Sequence, residues 1–390
     1  MCKRCSLRRA RMRPKSLSMQ HSAAQIGDAL ANIDTPALIL DRSAFERNGA
    51  ALMASVNGLP IAVRPHAKSH KCPEIARRQI AAGAVGICCQ KASEAQAFIE
   101  AGIQNILISN EVVGEKKIAR LMVMAQQAEL AVCVDHIENA RALNTAAIAA
   151  GIRLGVLIEL EVGAQRCGIA PGGPAVALAQ AICQMPGLRF LGLQSYHGPA
   201  QHLRTLSERR RAIDQATQLT RDTRDLLAKH GIVCKNITGA GTGSFMLEAC
   251  SSVYTEIQPG SYIFMDADYS RNDWHDSGMP VFEQSLFILT SIMSLRDPDH
   301  AVVDAGLKAS SVDSGLPLVA DLVDVRFHKA SDEHGVLKRG PKAEKMWLGQ
   351  KIRLIPGHCD PTVNLYDELI VVHEGRVEAI WPILARGALR

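Results

Sequence analysis

Between residues 59 and 258 the chain alternates short apolar, β-branched runs with amphipathic stretches, and the alternation repeats eight times. The expected strands are Ile61–Arg64, Val85–Cys89, Ile106–Ser109, Ala131–Val134, Leu154–Leu160, Phe190–Ser195, Ile232–Thr238 and Val253–Gln258. Helical spacing lies between them. Ile118, Leu121, Met122 and Ala125 share one face, as do Ile213, Ala216 and Leu219 in a longer charged helix ending near Gly231. Eight such units in roughly 200 residues, with near-continuous hydrophobic strands, predict an α/β fold: a parallel (β/α)8 TIM barrel with its helices outside. A doubly wound open sheet is the competing fold.

After about residue 282 the texture changes to closely spaced strand-like segments with turn signals at Asp297-Pro298-Asp299, Gly335 and Glu374-Gly375, which predicts an antiparallel β domain. Residues Asp34–Asp41 form a further strand suited to that second sheet. The expected organisation is a disordered basic tail over 1–26, a strand and helix over 27–58, the barrel over 59–282 and a C-terminal β domain over 283–390.

Composition removes several function classes. No apolar run in the 390 residues approaches the roughly 18 that a membrane span needs, so no membrane partner is expected. The formal charge of +5 is a property of the tail, whose first 26 residues hold seven basic residues and no acid; the remainder has 37 basic against 39 acidic residues, or −2. A balanced body predicts no nucleic-acid partner. The tail reads as a transit peptide or as an over-long start whose true beginning is Met12 or Met19. Of eleven cysteines, Cys88, Cys89, Cys133, Cys167 and Cys234 sit inside apolar runs, which argues against a disulfide scaffold and for a reducing, cytoplasmic setting. Cys2 and Cys5 form a lone CxxC that reads as incidental.

In such a barrel, chemistry gathers where the strands end and the βα loops begin. All eight ends are polar here. The first runs into Arg64-Pro65-His66-Ala67-Lys68-Ser69-His70-Lys71, the second into Gln90-Lys91, the fifth into Gln165-Arg166-Cys167-Gly168 and the sixth into Tyr196-His197-Gly198. The seventh leads into Thr238-Gly239-Ala240-Gly241-Thr242-Gly243-Ser244, three glycines and two hydroxyls within six residues, a pattern that either cradles an anion on backbone N–H groups or makes a flexible turn. The turn Pro259-Gly260-Ser261 after the eighth strand adds a second set of N–H groups, and barrels bind phosphate with the loops after strands seven and eight. A lysine across the mouth from a phosphate site suits a Schiff base with pyridoxal phosphate. Lys68 is preferred to Lys71, which falls where the next helix, with Pro73 in its first turn, should begin and is expected to be solvated. Arg166 is a permanently charged donor suited to the cofactor's phenolate oxygen.

In the β domain, Pro356-Gly357-His358-Cys359-Asp360-Pro361-Thr362 stands out. An extended backbone there would aim His358 and Asp360 at one point with Cys359 facing away, a two-ligand metal site fitting Mn²⁺ or Mg²⁺, unless the motif is turn chemistry.

Taken together, Arg64–Lys68, Gly86–Lys91, Arg166-Cys167-Gly168, Tyr196-His197-Gly198, Thr238–Ser244, Gln258–Tyr262, Asp304–Lys308 and His358-Cys359-Asp360 resemble the fold-type III pyridoxal phosphate enzymes, within them the D-threonine aldolase and D-serine dehydratase group. The resemblance runs from Asp34-Thr35-Pro36 to Trp381-Pro382-Ile383. It implies Lys68 as the Schiff-base lysine and Arg166 beside the cofactor oxygen. Thr238, Gly241, Thr242, Gly260 and Ser261 would serve the phosphate side, with Gln90, Tyr196 and Tyr269 lining the cofactor pocket. Gln258 stands where related alanine racemases place an arginine against the pyridine nitrogen, which disfavours racemisation. The resemblance also implies a homodimer in which one subunit's β domain closes the other's site. Dehydratases of the group pair His-x-Cys with zinc; the Asp at position 360 is the aldolase pattern. The expected activity is aldol cleavage of a D-3-hydroxy-α-amino acid to glycine and an aldehyde, with His66, His197 or His202 or a metal-bound water as base. A D-3-hydroxyaspartate aldolase, a dehydratase and a non-catalytic pyridoxal phosphate carrier are the alternatives.

Overall fold

A computed structural model describes residues 22–275, 278–297 and 299–390. It opens with β1 (Ala37–Asp41) and α1 (Arg42–Ser55). Eight β/α repeats follow: β2 (Ala62–Val63), α2 (Pro73–Ala81), β3 (Ile87–Cys89), α3 (Ala92–Glu100), β4 (Asn105–Glu111), α4 (Glu115–Ala125), β5 (Glu129–Val134), α5 (Ile137–Ala149), β6 (Leu154–Glu159), α6 (Gly173–Cys183), β7 (Leu188–Ser195), α7 (Leu206–Lys229), β8 (Asn236–Gly239), α8 (Phe245–Ala249) and β9 (Glu256–Ile257). All eight strands pair in parallel in the order β2-β9-β8-β7-β6-β5-β4-β3. The ring closes between β2 and β3, where Val85 N–H reaches Val63 O and Cys88 N–H reaches Pro65 O, both at 2.9 Å. The barrel is therefore the fold, and the open sheet is not.

Side-chain alternation explains how the ring is filled. Ile87, Cys89, Ile106, Ile108, Leu130 and Val132 face outward and pack with helix residues such as Phe98, Leu121 and Leu143, while Cys88, Leu107 and Leu157 form a separate small cluster with Ala131 and Leu191 on the inner side. In α4, Ile118, Leu121 and Met122 are buried as expected. In α7, Ile213 and Ala216 are buried as expected, but Leu219 is 41% exposed, and Thr217, Thr220 and Thr223 share the buried face. Thr220 and Thr223 satisfy their hydroxyls on the carbonyls of Ala216 (2.7 Å) and Leu219 (2.8 Å), so a polar residue can occupy an inward position.

The second sheet contains β10 (Leu286–Asp297), β11 (His300–Val303), β12 (Leu318–Val319), β13 (Val325–Ala330), β14 (Gly335–Arg339), β15 (Lys351–Ile355), β16 (Glu368–His373) and β17 (Arg376–Pro382), with the short helix α9 (Cys359–Val363) between β15 and β16. Its main path is β13-β14-β11-β10-β1-β16-β17; β15 pairs with β10 and β12. The early strand β1 joins it as expected, antiparallel to β10 and parallel to β16. Every other pair in the sheet is antiparallel.

The expected tail is shorter than its predicted 26 residues. Ala24 is buried, Ser22 Oγ donates to Glu368 Oε1 at 2.7 Å and Gly27 N–H reaches Val377 O at 2.8 Å, so residues 22–27 pack on the β domain. Residues 1–21, with Cys2 and Cys5, lie outside the described residues. Among the described residues no helix is long and apolar enough to cross a membrane.

One hydrophobic core spans both parts. Val63, Cys72, Ile75, Phe245 and Tyr262 from the barrel side pack in the same cluster as Ile288, Val303, Leu354, Cys359, Val363 and Trp381 from the β domain. Burial of this joint surface fastens the second sheet, and α9 with it, over one barrel mouth.

Candidate active site

The C-terminal strand ends open into a cleft of about 80 Å³ lined by His66, Lys68, Gln90, Ser109, Arg166, Gln194, Tyr196, Ala240, Gly241, Thr242, Gln258, Gly260, Ser261, Tyr269 and Asp360. Most of the residues singled out from sequence meet there. Five do not: Thr238 lies behind the wall, His358, His197 and His202 stand outside the lining, and Lys71 is elsewhere.

Lys68 sits in a single 3-10 turn, Ala67–Ser69, directly after β2, with His66 as the cap whose Nδ1 accepts the Lys68 N–H at 3.4 Å. Its ammonium contacts the Asp360 carboxylate. Burial alone would depress the Lys68 pKa, but the Asp360 charge more than offsets it and holds the lysine above its ordinary value. Burial would raise Asp360, yet the charge of Lys68 outweighs it and holds the carboxyl well below the usual range. Lys71, expected in solvent, is instead buried and paired with Glu94, whose other oxygen accepts the N–H groups of Gln90 (2.8 Å) and Lys91 (3.1 Å). Its charge is committed to holding the second βα loop, which leaves Lys68 as the lysine of the cleft.

His66 is a candidate base by sequence, but both ring nitrogens are engaged. Nδ1 accepts from Lys68 N–H, so Nε2 carries the proton toward Ser109 Oγ at 3.0 Å, and Ser109 in turn donates to Cys89 O. Burial, assisted by the Lys68 charge, pushes its pKa down to about 3. A neutral, fully bonded imidazole shapes the cleft rather than taking up a proton. His197 Nδ1 accepts from Ala200 N–H at 3.3 Å, and its ring lies against Gly163. His202 differs. Its Nδ1 lies 2.5 Å from Asp268 Oδ2, and its ring stands 5.4 Å from that of Tyr269 on the cleft wall.

Arg166 places its guanidinium 5.8 Å over the Tyr196 ring and 3.4 Å from Glu159 Oε1. Gln258 is buried and pairs amide to amide with Gln194 (2.9 and 3.2 Å). Its Nε2 also donates to Thr238 Oγ1 at 2.7 Å, and Thr238 donates to Glu256 at 2.7 Å. The place assigned to Thr238 is corrected accordingly: a strand residue facing the lumen below the mouth, it supports Gln258 and does not line the cleft.

The donor chemistry fits a pyridoxal phosphate. The N–H groups of Gly241, Thr242, Gly260 and Ser261 are not spent on carbonyls of the described residues, and Thr242 Oγ1 accepts from Tyr262 N–H at 2.9 Å, which leaves its own O–H to donate. Gly260 and Ser261 lie beside the Lys68 turn, where His66 N–H donates to Pro259 O at 3.1 Å, and Gly241, Thr242, Arg166 and the neutral Gln258 line the same cleft. The loop itself is held from behind: Gln201 Oε1 accepts Gly243 N–H at 2.9 Å, Gln201 Nε2 donates to Ser244 Oγ at 2.8 Å, and Ser244 donates to Glu248 at 2.8 Å.

Glu248 yields a pH prediction. It is buried, one carboxyl oxygen has no partner among the described residues, and burial pushes its pKa up to about 7 from an ordinary 4.5, against the Ser244 hydrogen bond. Between those values the folded chain holds a proton that the unfolded chain has lost, so stability falls as pH rises from about 4.5 and levels off above 7, by at most roughly 3 kcal/mol. Melting temperatures taken from pH 5 to 8 should fall less steeply in Glu248→Gln than in the parent; identical slopes would remove Glu248 as the cause.

The extended geometry expected of His358 and Asp360 is not found. His358 is the extended cap of α9 (φ −144°, ψ 126°), and helix, not strand, begins at Cys359, so alternation does not aim the two side chains. Asp313 Oδ2 instead lies 2.8 Å from His358 Nδ1. That contact places the proton on Nδ1 and leaves Nε2 as a lone-pair donor beside an anionic Asp360, a set that fits a divalent ion held by two protein ligands. Among the described residues no group of three His, Cys, Asp or Glu is arranged to hold a metal. Within one chain the shared core already brings Asp360 to the mouth of its own barrel, against Lys68.

Residues 40–268 match the family described as alanine racemase, N-terminal domain, and residues 285–372 match the putative serine dehydratase domain. A D-threonine aldolase from Arthrobacter sp. is 48% identical over 367 residues, covering 94% of this chain and 96% of that one. The chain belongs to the D-threonine aldolase and D-serine dehydratase-like family. A 3-hydroxy-D-aspartate aldolase from Paracoccus denitrificans (strain Pd 1222) is 43% identical, covering 92% of this chain and 93% of that one. The crystal structure of D-threonine aldolase from Filomicrobium marinum superposes with a TM-score of 0.92 at 47% identity, over 95% of this chain and all of that one. This family member thus has the alanine racemase-like barrel with a second sheet, and pyridoxal phosphate is the cofactor of such fold-type III enzymes.

Ser109, Gln194, Asp266, Asp268 and Asp313 were not singled out from sequence. Asp266 and Asp268 flank Ala267 just before Tyr269, and Asp313 sits in a serine-rich turn; local patterns of that kind read as turn chemistry until partners 45 to 93 residues away are known.

Proposed function

We propose that this chain is a pyridoxal phosphate- and divalent metal-dependent aldolase that cleaves D-3-hydroxy-α-amino acids of the D-threonine kind to glycine and an aldehyde. The observation that carries it is the contact of Lys68 with Asp360 in a cleft walled by a phosphate-suited loop. When bound, pyridoxal phosphate at Lys68 supplies an electron sink for the pair released from the Cα–Cβ bond, and Mn²⁺ or Mg²⁺ at His358 and Asp360 supplies Lewis acidity toward the β-hydroxyl.

The protein's own groups do the rest. Thr242, Gly241, Gly260 and Ser261 would hold the phosphate, and Arg166 and Gln258 would flank the ring. Lys68 is the amine that would hold the cofactor, with the Asp360 carboxylate beside it. His202 takes the hydroxyl proton at Nε2, since its Nδ1–H is donated to Asp268 and its ring flanks the cleft at Tyr269. Burial would raise the Asp268 pKa, but Arg204 and His202 overcome it, so the carboxylate stays ionised, fixes the tautomer and stabilises the imidazolium once formed. The family habit of dimerisation completes the site in this reading, and a cytoplasmic setting suits the many buried thiols.

Product analysis tests it. Purified chain with pyridoxal phosphate and Mn²⁺, given D-threonine, D-phenylserine and D-3-hydroxyaspartate, should release glycine and the matching aldehyde and leave the L-forms untouched. Appearance of a 2-oxo acid and ammonia instead would make the chain a dehydratase.

A further inference from the structure

A strand would aim residues two apart at one point unaided, but the backbone turns into α9 directly after His358. Something else must set the angle between the two ligands. Two carboxylates that neither line the cleft nor take part in the proposed chemistry stand at that junction. Asp313 Oδ2 lies 2.8 Å from His358 Nδ1, with Ser314 Oγ 3.4 Å from the same nitrogen. Asp266, fully buried, divides its oxygens: Oδ1 accepts Tyr269 N–H and Oδ2 accepts Cys359 N–H, both at 2.9 Å. Alongside, Ala267 N–H donates to Pro356 O at 3.0 Å and Asp268 N–H to Gly357 O at 3.2 Å. Three successive residues of the 266–268 segment thus grip residues 356–359 and fix the peptide between His358 and Asp360.

The geometry points to Asp313 and Asp266 as positioning residues for the metal pair. Asp313 sets the ring plane and tautomer of His358 so that Nε2 faces the ion, and Asp266 anchors the backbone from which Asp360 projects, tying it to the Tyr269 wall of the cleft. The physical basis is that a ligand held in one orientation loses less entropy on binding, and that a carboxylate behind an imidazole raises its basicity. This inference rests on the metal reading of the proposed function.

The test is Mn²⁺ binding to the full chain loaded with pyridoxal phosphate, free ion being counted by electron paramagnetic resonance. Asp313 is half exposed, so Asp313→Asn removes the charge without opening the core. It is expected to weaken Mn²⁺ binding by roughly 10–100-fold while cofactor absorbance and melting temperature stay unchanged, with Asp313→Glu recovering part of the loss. Asp266→Asn, which keeps size but turns an amide N–H toward one of its two backbone donors, is expected to weaken Mn²⁺ binding by a similar factor; where it fails to fold, the Asp313 pair decides alone. Unchanged Mn²⁺ affinity in Asp313→Asn overturns the positioning role and leaves the metal reading standing. A parent chain that takes up no Mn²⁺ overturns both.

Discussion

Replacing Lys68 by alanine is expected to lower turnover by roughly four orders of magnitude or more, the scale on which removal of a covalent catalytic group acts, and to abolish the visible absorbance of lysine-bound cofactor. The structure leaves no substitute: Lys71, three residues on, has its ammonium buried against Glu94. Stability should change little. The Lys68 side chain is 41% exposed, so its pair with Asp360 is screened and contributes on the order of 1 kcal/mol or less. Absorbance spectra of the reconstituted variant and aldehyde release give the measurement. Retained absorbance would put the cofactor on another amine and remove Lys68 from its role.

Asp360→Asn should behave differently, losing turnover but not cofactor. The amide keeps the size and a polar contact with Lys68 but is a poor ligand for a hard cation, so several kcal/mol of Lewis-acid stabilisation are lost, or about a thousandfold in kcat. With the counter-charge gone, burial is left to depress the Lys68 pKa, since Asp360 is what holds it up. An amine that loses its proton more readily condenses with an aldehyde at least as well at neutral pH. The lysine-bound spectrum should therefore persist in Asp360→Asn and extend to lower pH than in the parent. Turnover equal to the parent at saturating Mn²⁺ would end the metal assignment. The contrast between the two variants is informative because both remove the same ion pair: only the residue whose chemistry is lost determines which signal disappears.

Much of the site was legible before any coordinates. The parallel barrel delivers the C-terminal end of every strand to one mouth, so recognising eight β/α repeats was enough to predict that Lys68, Gln90, Arg166, Tyr196, Thr242 and Gln258 converge, although up to 190 residues separate them. The same rule explains the error at Thr238, which lies on β8 itself rather than past its end and so faces the wall. Leu219 and the buried threonines of α7 mark a different limit. Apolar spacing finds a helix face only where burial is apolar, and a threonine that bonds its own helix is invisible to that criterion. At His358 the period of two was assumed where Pro361 in the first turn and Asp266 from afar favour helix.

Local order, then, came from local causes. The spacing of apolar residues, the glycines of the phosphate loop and Pro73 at the start of α2 determined the elements and their succession, because each acts over a few residues of the same chain. Partnership did not. That Lys71 pairs with Glu94 and that His202 leans on Asp268 were decided by closure of the barrel, and that Asp313 and Asp266 hold the His358–Asp360 junction by the second sheet settling on it through their common core. A hydrogen bond or ion pair depends on distances of a few ångströms between groups that lie tens of residues apart, and only packing of the whole sets those distances.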